Sequence, residues 1–502
     1  MKAVRISELD NVAVVTSPAA KGELAEGFGI SALCDIPQGH KIALRRIEKG
    51  EAVIRYGVVL GYVTETIEAG GWINEFNITL PPSPEVSELV PGGKGTVMTD
   101  LPQRKTWMGY DNGSDLPPGS RNILGIITSV QCVAGVVRNA VDRIRREILP
   151  DYPNVDGVAA VVHPYGCGVA IKADNAEIPI RSVRNIAHHP NFGGQILAVG
   201  LGCEKLTMDM ILEPEEITSE NVIMLQECQG YDAMIDAICS AARKKLEILN
   251  RRRRVELPVS KLRIGAQCGG SDAFSGVSAN PAIGYAFDML AAQGATVLFS
   301  EVTEVRDGVH LLAERCADEK TVERLKKEIS WYDDYLKRSH VDRSANPAPG
   351  NKKGGLSNIV EKAMGSIAKS GHSPIAGVIG PGEIPTCSGM IFAATPASDI
   401  VCGPSQLASG IVMQLFSTGR GTPYGLQEIP VFKICTQHSM NRKWPDLFDL
   451  DAGSVVTGEK TIAQLGHELY SRILDVLSGE KTCAEKYGLY NDFIVFNPAP
   501  IT

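Results

Sequence analysis

A series of short apolar runs, each followed by a polar segment rich in glycine, is the feature that most constrains the fold of this chain. After residue 121 the runs lie at 157–162, 196–200, 222–225, 262–266, 296–299, 390–394 and 410–416. Stretches with helical periodicity separate them, including 136–148, 231–249 and 320–336. Near-continuous apolar strands alternating with helices are typical of parallel sheets covered on both faces. The sequence therefore predicts an α/β fold for this part of the chain.

The first 79 residues follow a different pattern. Short β-rich runs at 12–15, 41–44, 52–56 and 58–63 alternate with glycine and charged turns, and few helical periods occur between them. This alternation predicts a small all-β domain.

The chain has 502 residues, which exceeds what one hydrophobic core usually supports. Between residues 80 and 119 proline recurs among glycine and serine, a composition typical of an extended linker. We therefore predict a β domain at 1–79, a linker at 80–119, and two α/β domains at 120–255 and 256–502.

The charge and the absence of apolar spans exclude several classes of partner. A net charge of −8 and a pI near 5.7 predict repulsion from nucleic acids and anionic membranes. The start of the sequence lacks the apolar core of a signal peptide, and no run is long enough to cross a membrane. We expect a cytoplasmic protein whose 12 cysteines are reduced thiols, and a homodimer, because large metabolic enzymes are commonly symmetric.

Polar and metal-competent side chains recur where the predicted strands end. In parallel sheets, ligands bind outside the carboxyl ends of the strands, where loops and helix N-termini converge. The sequence therefore predicts an active site at these exits. The residues there are His163, Cys167, Cys203, Glu204, Cys268, Ser271, Asp272, Glu304 and Arg420.

The cysteines form no CxxC set, so neither a ribbon-type zinc site nor a standard ferredoxin cluster is indicated. It remains an open alternative that Cys132, Cys167, Cys203 and Cys268 lie close together in the fold, together with carboxylates. There is no phosphate-binding GxxxxGK[ST] loop. The segment Gly200-Leu201-Gly202 lacks the third glycine of a dinucleotide fingerprint, which makes nucleotide binding a weak interpretation.

Two loops have the composition of anion sites. Lys352 and Lys353 lie in an amide-rich segment at 346–355, and Arg420 lies in a glycine-rich segment at 417–425. In the β domain, His40 follows a glycine turn and precedes Lys41, which makes this pair a further candidate.

Several of these segments resemble the altronate/galactarate dehydratase family. The similar strings include PQGHK, YGCGVAI, GLGCEKL, QCGGSDAFSG, STGRGTPYG and FNPAPIT, and the likeness extends over nearly the whole chain. The resemblance implies an N-terminal SAF-type β domain, a divalent metal that is typically Fe²⁺, and loss of water from a sugar acid. The KKGGL context and the FNPAP tail are more similar to the galactarate branch, which implies galactarate as substrate and 5-dehydro-4-deoxy-D-glucarate as product.

On this resemblance we assign the predicted residues to roles. The predicted metal ligands are Cys167, Cys203, Glu204 and Cys268, with His40 as an alternative further ligand. The predicted catalytic residues, which exchange protons with the substrate, are His40, Lys41, His163, Asp272 and Glu304. The predicted substrate-binding residues are Ser271, Lys352, Lys353 and Arg420.

Three alternatives remain open from the sequence. The first is another lyase of the same family, acting on altronate, on another aldarate or aldonate, or on sulfolactate. The others are a nicotinamide-dependent oxidoreductase and a non-catalytic sugar-acid sensor. The stretch 110–122 departs from the family pattern, which leaves the exact sugar acid open.

Overall fold

The computed structural model describes residues 1–113, 116–492 and 494–501. Its N-terminal part is built from short antiparallel strands. These are β1 (Ala3–Val4), β2 (Val12–Val15), β3 (Leu24–Ala25), β4 (Ile30–Ser31), β5 (Lys41–Ala43), β6 (Ala52–Arg55), β7 (Val58–Val63), β8 (Trp72–Ile73) and β9 (Ile78–Thr79). They form sheets in the orders β1-β2-β5-β8, β6-β7-β9 and β3-β4. The predicted all-β character of this region is confirmed.

An extended segment leaves the β domain and runs along the C-terminal part of the chain. Lys94 donates a backbone hydrogen bond to the Glu314 carbonyl at 2.9 Å, and Thr96 does the same to the His372 carbonyl at 2.8 Å. The segment then forms strand β10 (Thr106–Gly109). These contacts hold the predicted linker against the protein surface.

The middle part of the chain is a parallel sheet, here called the middle sheet, with strand order β12-β11-β13-β14. Its strands are β11 (Ile123–Thr128), β12 (Gly157–Val161), β13 (Leu197–Gly200) and β14 (Val222–Met224). The helices between and after them are α1 (Ala134–Glu147), α2 (Glu177–Ala187), α3 (Met208–Ile211) and α4 (Tyr231–Leu249). Strand β15 (Val255–Pro258) follows and pairs with β10.

The C-terminal part is a second parallel sheet, here called the C-terminal sheet, with strand order β18-β19-β17-β16-β20-β21-β22. Its strands are β16 (Arg263–Cys268), β17 (Thr296–Ser300), β18 (Ile375–Ile379), β19 (Gly389–Ala393), β20 (Gln414–Thr418), β21 (Val431–Cys435) and β22 (Leu450–Asp451). The helices between its strands from β16 to β20 are α5 (Ala279–Ala292), α6 (Val309–Ala313), α7 (Glu319–Arg338), α8 (Pro349–Lys353), α9 (Ile359–Ile367) and α10 (Asp399–Ala408). The chain ends with α11 (His438–Lys443), α12 (Gly453–Thr457), α13 (Ile462–Leu477), α14 (Cys483–Tyr487) and an extended tail at 494–501.

The predicted parallel-sheet α/β class is confirmed, with shifts at strand ends. The predicted run 410–416 becomes a strand only from Gln414, because Gly410 turns with a positive φ and the preceding residues close helix α10. Strands β10, β11, β15, β18, β21 and β22 were not predicted, although β11, β18 and β21 are largely apolar and buried or half-buried. Among the described residues, no helix is long and apolar enough to cross a membrane.

Helix ends follow local capping chemistry. The Asp318 carboxylate accepts a hydrogen bond from the Thr321 amide at 2.8 Å and begins α7. Thr461 and Gln464 form a capping box at the start of α13. Such caps satisfy backbone amides that have no partner within the helix.

One hydrophobic core joins the two parallel sheets. It contains Ile127 and Ala198 from the middle sheet together with Leu298, Ile391 and Phe416 from the C-terminal sheet, all at most 1 % exposed. Apolar burial of this kind stabilises the association of the two sheets. The middle and C-terminal regions therefore behave as one packed body.

A buried ion-pair network attaches the β domain to helix α9. Nζ of Lys41 lies 2.9 Å from Oε2 of Glu361, which also pairs with Arg55. All three side chains are at most 2 % exposed. The Lys41 ammonium also donates to the Gly355 carbonyl at 2.7 Å. Burial alone would raise the pKa of Glu361, but Lys41 and Arg55 outweigh it and lower the pKa. The carboxylate is therefore ionised and depends on cations from the other domain.

We expect Glu361→Gln to lower the free energy of unfolding by about 3–5 kcal/mol, because it leaves two buried cations without a counter-charge. Urea titration followed by circular dichroism measures the change. The matched control is Glu468→Gln at the exposed Lys460–Glu468 pair, where we expect a loss of about 1 kcal/mol or less. Equal losses in the two variants would contradict the role given to the network.

Candidate active site

Two neighbouring strands of the C-terminal sheet bring a thiol and two carboxylates together. Cys268 is the last residue of β16, and Glu301 follows the last residue of β17. Glu304 ends the short 3₁₀ helix Val302–Glu304. Because β16 and β17 are adjacent and parallel, their exits meet. One ligand atom from each of the three residues lies within 4.8 Å of the others, and all three residues are buried.

Helix α9 and the turn after it place two lysines against this group. The Lys362 ammonium lies 2.7 Å from Oε1 of Glu304. Lys369 Nζ lies 2.7 Å from Oε2 of Glu301 and 3.0 Å from Sγ of Cys268. Ionised carboxylates cannot be buried at low cost without such partners. The two lysines therefore balance the charge of the two glutamates.

The pKa values of these groups reflect burial and close charges. Burial raises the pKa of Cys268 to about 12 and that of Glu301 to about 7. Burial would also raise the pKa of Glu304, but Lys362 and Lys369 outweigh it and lower the pKa. For Lys369, burial is outweighed by Cys268 and Glu301, so its pKa is raised. Of the two carboxyls, Glu301 is the one that holds a proton more readily.

The segment after Cys268 is fixed by hydrogen bonds from several loops. One carboxylate oxygen of Asp272 accepts from the amides of Phe274 and Ser275 at 3.0 and 2.9 Å. The other accepts from Thr436 at 3.0 Å and Gln437 at 3.1 Å. Burial raises the pKa of Asp272. The bonds engage both oxygens of this predicted acid or base, so its carboxylate holds the loops together.

The predicted substrate-binding residues surround that segment. The Asn351 amide group donates to the Ser271 carbonyl at 2.8 Å, which places helix α8 and its Lys352 and Lys353 beside it. The Arg420 amide donates to the Gly270 carbonyl at 2.8 Å. Within the described part of the chain, none of these three cations forms an ion pair or a side-chain hydrogen bond. Ser271 Oγ is likewise buried without a hydrogen-bond partner among described residues.

The β domain contributes His40 to the same region. Gly39 lies against the backbone of Gly354 and Gly355, and His40 lies near the backbone of Lys353. Trp72 donates from Nε1 to Nδ1 of His40 at 3.2 Å. Burial lowers the pKa of His40, so the imidazole is neutral at pH 7 and, with Nδ1 accepting, carries its proton on Nε2.

The space inside this arrangement is small. Cys268, Ser271, Lys362 and Ser366 line a cavity of about 10 Å³. This is close to the minimum that holds one water molecule. Any larger ligand requires the surrounding loops to move apart.

The remaining predicted site residues lie at the carboxyl edge of the middle sheet. They are His163, Cys167, Cys203 and Glu204. His163 is buried, its Nε2 lies 2.8 Å from the Thr128 carbonyl oxygen, and burial lowers its pKa to about 4. Cys167 and Cys203 are exposed thiols. The structure thus divides the predicted site between the edges of two sheets.

Glu301, Lys362 and Lys369 were not predicted. Glu301 is a non-glycine residue with φ +82°, a conformation that costs energy and is concentrated at functional sites. Lys362, Ser366 and Lys369 repeat at intervals of four and three, the spacing of one helix face. This spacing, together with two glutamates at the end of β17, was the pattern in the sequence that could have indicated these residues.

The stretch 110–122 lies apart from these contacts. Its Arg121 is buried and pairs with Glu485 at 2.6 Å. Ser114 and Asp115 lie outside the described residues.

Family models match almost the whole chain. Residues 1–81 match the altronate/galactarate dehydratase SAF domain, and residues 109–250 match the second domain of D-galactarate dehydratase/altronate hydrolase. Residues 259–501 match the C-terminal domain of D-galactarate/altronate dehydratase.

Characterised relatives match over similar lengths. Galactarate dehydratase (L-threo-forming) of Escherichia coli K12 is 49 % identical over 99 % of this chain and 97 % of its own length. Altronate dehydratase of the same organism is 32 % identical over 98 % of each chain. The (2R)-sulfolactate sulfo-lyase subunit beta of Chromohalobacter salexigens is 30 % identical over 78 % of this chain and 97 % of its own length. The chain belongs to the altronate/galactarate dehydratase family.

Proposed function

We propose that this chain is a hydro-lyase that removes water from a sugar diacid, with galactarate as substrate and 5-dehydro-4-deoxy-D-glucarate as product. The observation that carries the proposal is the buried group Cys268, Glu301 and Glu304, flanked by Lys362 and Lys369. Lys352, Lys353 and Arg420, here called the cationic rim, belong to segments that contact the chain just after Cys268. The 49 % identity to a galactarate dehydratase, against 32 % to an altronate dehydratase, supports the choice of substrate.

We assign a divalent metal ion, Fe²⁺ in the first place, to Cys268, Glu301 and Glu304. The donor set fits such an ion, because its ligand atoms converge within 4.8 Å and combine a sulfur with two carboxylates. The Lys369 ammonium, 3.0 Å from Sγ of Cys268, occupies the position of a cation there and would be displaced by the metal. When bound, the ion supplies Lewis-acid stabilisation of negative charge on substrate oxygens.

The cationic rim supports a substrate with two carboxylates. Arg420 offers a planar fork that binds a carboxylate through two hydrogen bonds, and Lys352 and Lys353 offer point charges at the end of α8. A net charge of −8 gives no general attraction for an anion, so local cations must hold it. A monoacid such as altronate would leave part of this rim unused.

Dehydration removes a proton from the carbon next to a carboxylate and expels hydroxide from the neighbouring carbon, and the resulting enol becomes a 2-oxo acid. Lys362 and Lys369 are protonated and stabilise the negative charge that develops on the carboxylate side. His40, a neutral imidazole with its proton on Nε2, is assigned as a hydrogen-bond donor to the leaving hydroxyl, which departs as water together with the proton removed from carbon. Lys41 and Asp272 are assigned as positioning residues, because their charged groups are already held by Glu361 and by loop hydrogen bonds.

We also propose that the protein works in the cytoplasm as a homodimer. The free state of all 12 cysteines supports a reducing compartment. Sedimentation of the purified protein measures the oligomeric state.

We expect turnover of galactarate by the purified protein under anaerobic conditions with Fe²⁺, measured as formation of the 2-oxo acid. Parallel assays use altronate and sulfolactate, and a further assay adds a nicotinamide cofactor. Turnover confined to altronate or sulfolactate, or a change in nicotinamide absorbance, would assign the chain to one of the alternative activities. No turnover of any substrate would favour a sensor.

Cys268→Ser is expected to lower bound iron and turnover at least tenfold, because a hydroxyl replaces the soft thiolate ligand. Iron content per chain is measured by mass spectrometry after desalting. The control is Cys316→Ser, a cysteine of equal burial inside the hydrophobic core. Unchanged iron in the Cys268 variant would remove this residue from the metal site.

Arg420→Ala is expected to raise KM for galactarate by about 10- to 100-fold, the effect of losing charge-assisted hydrogen bonds to a carboxylate. Steady-state kinetics measure KM and kcat separately. Arg338→Ala, at an exposed position that ends α7, is the control and should leave KM unchanged. An unchanged KM in the Arg420 variant would place the substrate elsewhere.

A further inference from the structure

A second group of metal-competent residues lies outside the buried site. The adjacent strands β12, β11 and β13 of the middle sheet are parallel, and each is followed within a few residues by a cysteine. These are Cys167, Cys132 and Cys203, and all three are exposed free thiols. Parallel strands deliver such residues to one edge of the sheet.

The loops that carry these cysteines are in direct contact. The Ser129 hydroxyl donates to the Glu204 carboxylate, which joins the loop of Cys132 to that of Cys203. The Lys205 amide donates to the Gly166 carbonyl at 3.0 Å, which joins the loop of Cys203 to that of Cys167. A side chain at Gly166 would collide with the Ser129 carbonyl, so the third pair of loops is also close.

The spacing of the three sulfurs excludes a pre-formed site for one ion. A tetrahedral Zn²⁺ or Fe²⁺ site places its sulfur ligands about 4 Å apart. Among the described residues, the only group of three ligand atoms within 4.8 Å of one another is Cys268, Glu301 and Glu304. At least one pair of the three sulfurs is therefore further apart than a single ion requires, while the loops touch. A cluster of several irons takes its thiolate ligands from points further apart than a single ion does.

The other metal-competent side chains nearby are already engaged in hydrogen bonds, so three cysteines remain as protein ligands. The Glu204 carboxylate is already held by Ser129 and by the amides of Leu201 and Gly202, at 3.0 and 2.6 Å. Cys228, after the fourth strand, directs its thiol to the Met224 carbonyl at 3.9 Å. Gln226 donates from Nε2 to Sγ of Cys203 at 3.6 Å, and hydrogen bonds to cysteine sulfur are one of the controls on iron–sulfur clusters.

We propose that Cys132, Cys167 and Cys203 bind a [4Fe–4S] cluster through three protein thiolates. Within the described parts of the chain we assign no side chain to the fourth iron, which would be open to an oxygen ligand such as a hydroxyl or carboxylate. This centre is separate from the buried group at Cys268 and does not depend on the proposed function.

The test is anaerobic reconstitution of the full chain with ferrous and ferric iron and sulfide, followed by desalting. We expect about four iron and four acid-labile sulfide per chain, with the broad visible absorbance of a cubane cluster. Cys132→Ser, Cys167→Ser and Cys203→Ser should each lower labile sulfide at least tenfold. The matched control, Cys387→Ser at another exposed thiol, should retain it. Circular dichroism establishes that each variant is folded.

Two results would overturn the proposal. One is iron without labile sulfide in the wild-type chain, and the other is full labile sulfide in the triple cysteine variant. Cys268→Ser separates this centre from the proposed function, because it should lose the single ion and keep the cluster. Loss of labile sulfide in that variant, with retention in the triple variant, would assign the cluster to the buried site instead.

Discussion

The pairing of a buried carboxylate with cations from another domain is the interaction on which the rest of the structure depends. Glu361 and Lys362 are consecutive residues of helix α9, and they contact different parts of the protein. Glu361 binds Lys41 and Arg55 of the β domain, while Lys362 binds Glu304 of the buried site. Since an unpaired buried charge is costly, the helix is fixed only when both domains are in place. The site is therefore built by the β domain as well as by the C-terminal sheet.

Charge balance also decides what the buried site can bind. Two carboxylates at close range in a buried setting would take up protons if no cation were present, as the raised pKa of Glu301 indicates. Lys362 and Lys369 supply that balance. The proposed divalent ion would supply the same positive charge, and Cys268 would hold it as a thiolate. In the proposed mechanism, the lysines would then face the substrate.

The sequence predicted the strand exits that form this site, but it did not predict the lysines that pair with their carboxylates. Cys268 and Asp272 were found because a strand exit with glycine and polar residues has few structural explanations. Lys362 and Lys369 were missed because lysines at helical spacing look like an ordinary solvated face. Which sheet a strand joins depends on pairing between distant parts of the chain, which the sequence pattern does not reveal. The predicted active site at the strand exits is therefore divided between the edges of two sheets. The predicted domain boundaries at 79, 119 and 255 stay predictions.

The C-terminal tail at 494–501 contacts the carboxyl edges of both the middle sheet and the C-terminal sheet. The Ile494 amide bonds to the Ile400 carbonyl at 2.9 Å, at the start of α10, where Asp399 packs against Gly269 beside Cys268. At its other end, Ile501 pairs with Val169, two residues from Cys167. One short segment thus contacts the surroundings of both groups of cysteines. Because the two sheets also share a core, neither edge can shift without displacing the tail or breaking apolar packing. The separation of the buried group from the exposed thiols is therefore set by the packing of the two sheets and not by the loops that carry the thiols.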